Sequence, residues 1–517
     1  MLCPGKRPPT PRHATLRALY HPAGTSQNAE VLDSAALVLF FPAPETVTGE
    51  DVLEFHVHGG NAVVKAVLSA IPKAITSTKL SEHSIRYAEP GEFTRRAFYN
   101  NRLDLTHIEA LGDTLSAETE QQRRLAVRGT TSTLADQYEF WREQLLHARG
   151  VLEALIDFSE DQHFDDSPIE MLRPITNQVQ LLKSQLRASI QNASRGELLR
   201  SGISIALVGA PNAGKSSLLN RIVGREAAIV SGEEGTTRDV IDVGVDIGGF
   251  FCQFGDLAGL RTDSYDSSTP RISEVEREGM RRAKERALHA DVVIIVLSVE
   301  PSLGHDNDDP YAISINSEVE ETIRQCNPAT QTLICVINKA DLLPRHTKHQ
   351  GTTADFSELP RHPALKSISE TSRLSVYPVS CTEAHPAVVS GPDPGGLQAL
   401  LQGLTENFKS MTAAVLPETH AAASSNPSMW AESLGASERQ RILLQQCHEH
   451  LETFLVDVRD CQDGVILAGT GSDEERGNVD VVLAAESLRA AADCLAKITG
   501  RGQAGDVEEV LGVVFEK

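Results

Sequence analysis

The chain has 517 residues, enough for three or four domains at roughly 150 residues each, and 48 Lys+Arg against 71 Asp+Glu give a net charge of −23. That balance excludes a generic basic coat for nucleic acid, which needs positive surface. With 40% hydrophobic and 23% charged residues, wholesale disorder is excluded as well. No apolar run reaches the roughly 18 residues of a membrane-spanning helix. Eight scattered cysteines, none in a Cys-x-x-Cys pair, read as free thiols in a reducing compartment.

The first 29 residues carry Lys6, Arg7, Arg12 and Arg17 and no acid before Glu30. This reads as a basic tail or transit-like segment broken by Pro4, Pro8, Pro9 and Pro11. Ser34–Phe41 reads as a buried strand. Val52–His58 alternates, with Val52, Glu54, His56 and His58 on one face, and Gly59-Gly60 then turns into a helix. These make a small α+β domain over residues 1–100. A helical domain is expected over 101–200, from the stripes Leu134, Tyr138, Trp141, Leu145, Ala148, Leu152, Leu155 and Leu172, Ile175, Val179, Leu182, Leu186, with Pro174 in a first turn.

Residues 201–408 alternate strand and helix, which predicts a mostly parallel sheet with strands Ser204–Val208, Phe251–Gly255, Val292–Leu297, Thr332–Ile337 and Val376–Val379. Segments 300–318 and 344–373 read as polar insertions, and 384–396 and 416–436 as loops. Helical spacing returns over 409–517, at Ile442, Leu443, Cys447, Leu451, Leu455 and at Val482, Leu483, Leu488, Ala491, Leu495, Ile498. The simplest architecture is an α/β domain inserted into a helical domain.

Gly209-Ala-Pro-Asn-Ala-Gly-Lys-Ser216 fits the phosphate-loop pattern G-x-x-x-x-G-K-S/T between a strand and a helix. Backbone N–H groups from Gly209 through Ala213, Gly214 and Ser217 cradle phosphates in such a loop, Lys215 reaches the β- and γ-phosphates, and Ser216 ligates magnesium. Asp256-Leu-Ala-Gly259 follows a strand, where Asp256 serves magnesium and the Gly259 N–H the γ-phosphate. Thr236 and Thr237 lie between, in Gly235-Thr-Thr-Arg-Asp239, and Thr237 completes the magnesium shell. Asn338-Lys339-Ala-Asp341 follows a later strand. Its Asp accepts two hydrogen bonds from guanine that adenine cannot offer. Ser380, Cys381 and Thr382 close over the base. All these segments stand in the order of a GTPase.

The hydrolytic machinery departs from that of small GTPases. Leu260 stands where many place a water-orienting Gln. Asn212, inside the phosphate loop, has an amide oxygen that with oxygens of the Ser231–Thr237 loop can seat a monovalent cation against the phosphates.

The chain resembles the MnmE/TrmE tRNA-modification GTPases. The resemblance rests on Thr48-Gly-Glu-Asp-Val-Leu-Glu54 with His58-Gly-Gly60, Pro90-Gly-Glu-Phe-Thr-Arg-Arg-Ala-Phe98, Leu103-Asp-Leu105, Glu226-Ala-Ala-Ile-Val230, Glu274-Val-Glu-Arg277, Leu483–Leu488 and Ile498-Thr-Gly500. It implies a folate-binding, dimer-forming N-terminal domain, a split helical domain and an inserted GTPase domain. It also implies an FAD-dependent partner that helps install a carboxymethylaminomethyl-type or taurinomethyl group on the wobble uridine of tRNA. It places potassium on Asn212, Ser231, Glu233 and Thr236, the water-orienting role on Glu276, and a tetrahydrofolate derivative near Glu54 and Arg102. The location it implies is the mitochondrial matrix of a eukaryote or the cytoplasm of a bacterium. Against the family pattern, the first 30 residues look unrelated and the first strand missing, and the chain stops at Phe515-Glu-Lys517, short of a Phe-Cys-x-Gly-Lys end. A ribosome-assembly GTPase and a GTP-binding scaffold without modification activity are the alternatives.

Overall fold

The computed structural model describes residues 2–4, 6–22, 30–76, 85–130, 133–159, 168–225, 229–231, 243–255, 281, 284–301, 311–313, 315, 317–326, 331–342, 375–384, 393, 395–417, 427–467 and 481–500. They fall into two compact units. One comprises 1–112, 135–151 and 488–517, the other 113–134 and 152–487.

In the first unit, β1 (Thr15–Tyr20), β2 (Val31–Phe41) and β3 (Val52–His56) form an antiparallel sheet in the order β1-β2-β3. Helix α1 (Asn61–Thr76) contributes Val67 and Ala70 to a core with Leu19, Ala36 and Val38. The basic-tail reading of the first residues is corrected here. Thr15–Tyr20 is a strand paired along β2, Leu2 joins the core, and the Tyr20 N–H donates to the Leu2 carbonyl at 2.9 Å. Only Leu19 of β1 is buried while Leu16 is exposed, so the strand carries no clean alternation. Helix α2 (Glu92–Tyr99) holds the Pro90–Phe98 string, and α3 (Leu105–Ser116) follows.

Two helical stripes bury as read, apart from Leu155, whose side chain lies outside the described residues. In α5 (Leu134–Ser159) Tyr138, Trp141, Leu145, Ala148 and Leu152 are buried, and in α6 (Pro168–Arg200) Leu172, Ile175, Val179, Leu182 and Leu186 are. Helix α6 starts earlier than read, at Pro168, so Pro174 is inside it and not in its first turn. Two stripes shift. In the helix Glu438–Leu467 the buried face is Leu444, Cys447, Leu451, Phe454, Leu455 and Val458, with Ile442 exposed. In Val481–Thr499 it is Ala484, Leu488, Ala491, Leu495 and Ile498, with Val482 and Leu483 exposed. The 416–436 loop reading is corrected too, because Pro427–Glu432 is a short helix that buries Met429 and Trp430.

The second unit holds a sheet in the order β11-β10-β8-β4-β7-β6-β5. Its strands are β4 (Ile203–Val208), β5 (Ile229–Ser231), β6 (Val243–Ile247), β7 (Phe250–Phe254), β8 (Val292–Pro301), β10 (Thr332–Asn338) and β11 (Ser375–Pro378). Pairs within β7-β4-β8-β10-β11 are parallel, and β5-β6-β7 is an antiparallel edge. Apolar clusters cover both faces, and β8 is correspondingly buried from Val292 to Val299, as a central parallel strand must be. β9 (Tyr311–Ile313) pairs antiparallel with the end of β8, inside the segment read as an insertion. Helix α4 (Glu120–Thr130) also belongs to this unit, and α6 packs against Glu438–Leu467, so helical segments from before and after the α/β part meet.

Candidate nucleotide site

β4 runs into the phosphate loop, and α7 (Lys215–Arg225) starts within it. The glycines are explained by close approach. A Cβ on Gly209 would lie 2.3 Å from the Val296 carbonyl oxygen, and Gly214, at φ +90°, would place one 2.0 Å from Asn338 Nδ2. Asn212 takes φ +63°, a region Asn tolerates better than most residues. The Leu218 N–H donates to the Gly214 carbonyl at 2.8 Å, which opens the helix just beyond the loop.

Lys215 Nζ donates to the Gly209 and Ala210 carbonyls at 2.8 and 2.9 Å. Burial pushes its ammonium below the ordinary value, and no carboxylate is paired with it among the described residues. A cation desolvated in this way gains when an anion arrives.

The base-reading segments are tied to this loop. Asn338 is 3% exposed and donates Nδ2 to the Ala213 carbonyl at 2.9 Å, while its buried Oδ1 has no partner among the described residues. Lys339 turns the chain at φ +59°. Asp341 follows on a short 3-10 turn, and its Oδ1 accepts from Ser380 Oγ at 2.6 Å. A carboxylate offers about four lone-pair sites, so most of its capacity is left for a ligand. Arg221 of α7 donates Nε to the Cys381 carbonyl at 3.0 Å. Burial pushes the Cys381 thiol up to about 11, which makes it a neutral wall. Ser216 is half-buried, and Ser217 and Thr382 are exposed. The glycine cradle and the orphaned Asn338 oxygen fit a nucleotide.

Glu233, Thr236, Thr237, Asp256, Gly259, Leu260 and Glu276 lie outside the described residues, as does the side chain of Ser231. In the N-terminal unit, Glu54 Oε2 meets His56 Nε2 at 3.1 Å, and Arg102 Nε donates to the Thr46 carbonyl at 3.0 Å. No described hydrogen bond or ion pair joins Glu54 to Arg102.

Sequence reasoning missed a cavity of about 490 Å³ in that unit, lined by Ile85, Arg86, Ala88, Glu92, Phe93 and Arg96. Glu92 accepts from Arg86 at 2.8 Å and from Arg96 at 2.6 Å. Arg86, then the Glu89 N–H, then Arg96 hold its carboxyl at about 2. The helical i,i+4 spacing of Glu92 and Arg96 was the available signal.

The family model described as MnmE helical domain matches residues 105–517, and that of the GTP-binding protein TrmE N-terminus matches 1–102. The second match starts at residue 1, which overturns the reading of the first 30 residues as unrelated. A mitochondrial 5-taurinomethyluridine tRNA synthase subunit, GTPB3, of Danio rerio is 35% identical over 98% of this chain and 85% of its own length. The mitochondrial tRNA modification GTPase mss1 of Schizosaccharomyces pombe is 34% identical, covering 98% and 87%. The tRNA modification GTPase MnmE of Paramagnetospirillum magneticum is 36% identical, covering 99% and 91%.

Proposed function

The chain belongs to the MnmE/TrmE family, and on that premise we propose that it is a GTPase acting in the modification of tRNA wobble uridines, of the carboxymethylaminomethyl or taurinomethyl kind. The observation that carries this reading is the bonded circuit of phosphate loop and base-reading segments, in which Asn338 ties the two together. The organisation we infer is an N-terminal domain over 1–100, helical parts over 101–200 and 409–517, and a GTPase domain over 201–408.

In this reading Gly209, Ala213, Gly214 and Ser217 surround the phosphates with backbone donors, and Lys215 neutralises the β- and γ-oxygens. Asp341 selects guanine, with Asn338, Lys339, Ser380, Cys381 and Thr382 framing the base. Ser216, Thr237 and Asp256 would hold magnesium, and Asn212, Ser231, Glu233 and Thr236 would hold potassium. These cations supply positive charge against the transferring phosphoryl group. Glu276 orients water, a task Leu260 cannot perform. Glu54 and Arg102 serve a tetrahydrofolate derivative. The partners in this reading are tRNA, an FAD-dependent protein and a second copy of the chain joined through the N-terminal domain. The location is the mitochondrial matrix, or the cytoplasm if the source is bacterial.

Initial rates of GTP hydrolysis in potassium and in sodium at constant ionic strength test the core of this. Potassium should raise the rate by up to ~10³-fold, the low end of the effect of a fixed positive charge at the phosphates. Asn212→Ala should erase that response while GTP binding stays within roughly tenfold. A rate indifferent to the cation would remove the potassium role, and a fully active Lys215→Ala would remove the site.

A further inference from the structure

The N-terminal unit contains a second constellation that the nucleotide site does not use. β2 carries an irregularity opposite β1. Arg17 pairs with Ala36, yet Leu19 pairs with Asp33, so β2 spends three residues where β1 spends two. An extra residue of this kind re-aims the side chains beside it. Asp33 is thereby turned inward, its side chain only 1% exposed.

Asp33 is bonded on both oxygens. Oδ1 accepts the Ala35 N–H at 2.9 Å and His58 Nδ1 at 2.9 Å, and Oδ2 accepts the His58 N–H at 2.8 Å. Those backbone donors, Ala35 first and His58 second, hold its carboxyl below the usual carboxylate range. One buried carboxylate thus grips the backbone and the ring of the same histidine. The His58 side chain is 67% exposed, and no described hydrogen bond engages its Nε2. With Nδ1 as the donor to Asp33, Nε2 is left as an acceptor.

Gly59 and Gly60 follow immediately. Neither takes a positive φ. A Cβ at Gly59 would meet nothing within 4 Å, and one at Gly60 only the tip of Val63 at 3.9 Å. Among the described residues, neither backbone conformation nor packing requires glycine at either position.

We infer that Asp33 and His58 form a proton-transfer pair, with His58 Nε2 as the acid–base group and Asp33 as its positioning residue, serving the modification chemistry in the N-terminal domain. The group served is a substrate or cofactor bearing a dissociable N–H or O–H. His58 takes that proton at Nε2 and later returns it, and the Asp33 carboxylate offsets the imidazolium charge in between. The inference rests on the tRNA-modification reading above.

The test uses the full chain with the FAD-dependent partner, tRNA, GTP and the folate cofactor, following both GTP hydrolysis and modified uridine. His58→Gln should lower modification ~10²-fold or more, the usual reach of a general acid–base group, with GTP hydrolysis unchanged. His58→Ala should fall equally and be restored in part by added imidazole, which a merely structural histidine would not allow. Asp33→Asn should lower modification by less. Wild-type modification by His58→Gln, or no response of His58→Ala to imidazole, overturns the inference. No modification by the wild-type chain overturns the functional reading instead.

Discussion

The two sites are built on opposite plans. At the nucleotide site the parts answer one another: Asn338 bonds the phosphate loop, Ser380 bonds Asp341, and Arg221 bonds Cys381. In the N-terminal unit Glu54 and Arg102 each bond a different neighbour, and His58 stands open. A closed circuit meets its ligand already organised, with little ordering left to do on binding. An open set depends on what arrives to complete it. That difference suits a guanine nucleotide at the first; the roles proposed for the second would depend on the molecule that completes it.

The largest expected effect strikes the closed circuit. Asp341→Asn should reverse the preference between GTP and xanthosine triphosphate by up to ~10⁴-fold, since the new amide meets a carbonyl in place of guanine's donors. Competition binding of the two nucleotides measures it, and an unchanged preference would mean that Asp341 does not read the base.

Next comes the joint of that circuit. Gly214→Ala puts a Cβ onto Asn338 Nδ2 at a φ of +90°. Strain of ~1–3 kcal/mol corresponds to a loss of roughly 5–150-fold in GTP affinity. Calorimetric titration showing full affinity would break the claim that the loop and Asn338 act as one piece.

A smaller effect belongs to the cavity in the N-terminal unit. Glu92 sits at about 2 against an ordinary 4.5, so its ionised form adds stability that is fully present above 4.5 and lost as pH falls through about 2. Amide exchange in Glu92–Tyr99 should therefore be slower in wild type than in Glu92→Gln at neutral pH, with the gap closing across that acid window. A gap that persists at the bottom of the window would show that the ion pairs do not cause it.

The smallest effect is a null one that sharpens the contrast. Gly59→Ala should change stability by no more than ~0.5 kcal/mol, because no described residue lies within 4 Å of the added Cβ. Thermal unfolding checks it. A large loss would mean that the glycine serves the fold, and not an outside molecule.

The closed circuit was the more legible in sequence because its parts are local. Gly209–Ser216 and Asn338–Asp341 are short strings of fixed spacing whose backbone needs are met within a few residues. The bonds that join them, such as Asn338 to Ala213, span more than a hundred residues and leave no spacing to read. The parallel centre of the sheet was legible from its apolar runs. Its antiparallel edge was missed although a signal existed: Gly248-Gly249 between Ile247 and Phe250, at φ +61° and +88°, is the pair that a tight hairpin demands. β1 offered no such signal, since its most exposed position carries the apolar Leu16 and only Leu19 is buried, so no apolar/polar alternation marks the strand. The His58 pair was hidden for a third reason. His58 was visible as the end of an alternating run, although β3 stops at His56, and its partner Asp33 sits beside a slip in the pairing of β1 and β2.

Helix α6 holds both ends of the α/β segment. Asn192 donates Nδ2 to the Val415 carbonyl at 3.0 Å and accepts the Val415 N–H, and Arg195 reaches the Ala413 carbonyl, so the returning chain is fastened to the helix. The outgoing chain leaves from the helix's last residue, Arg200, which is anchored to Asp113 and to the Gly435 carbonyl. At 1.5 Å per residue, Asn192 and Arg200 are about 12 Å apart along the axis. The gap is one that about four residues of extended chain can bridge. Entry and exit of the α/β segment are thus two neighbouring stations on one helix, so a shift of α6 would move both of its ends together.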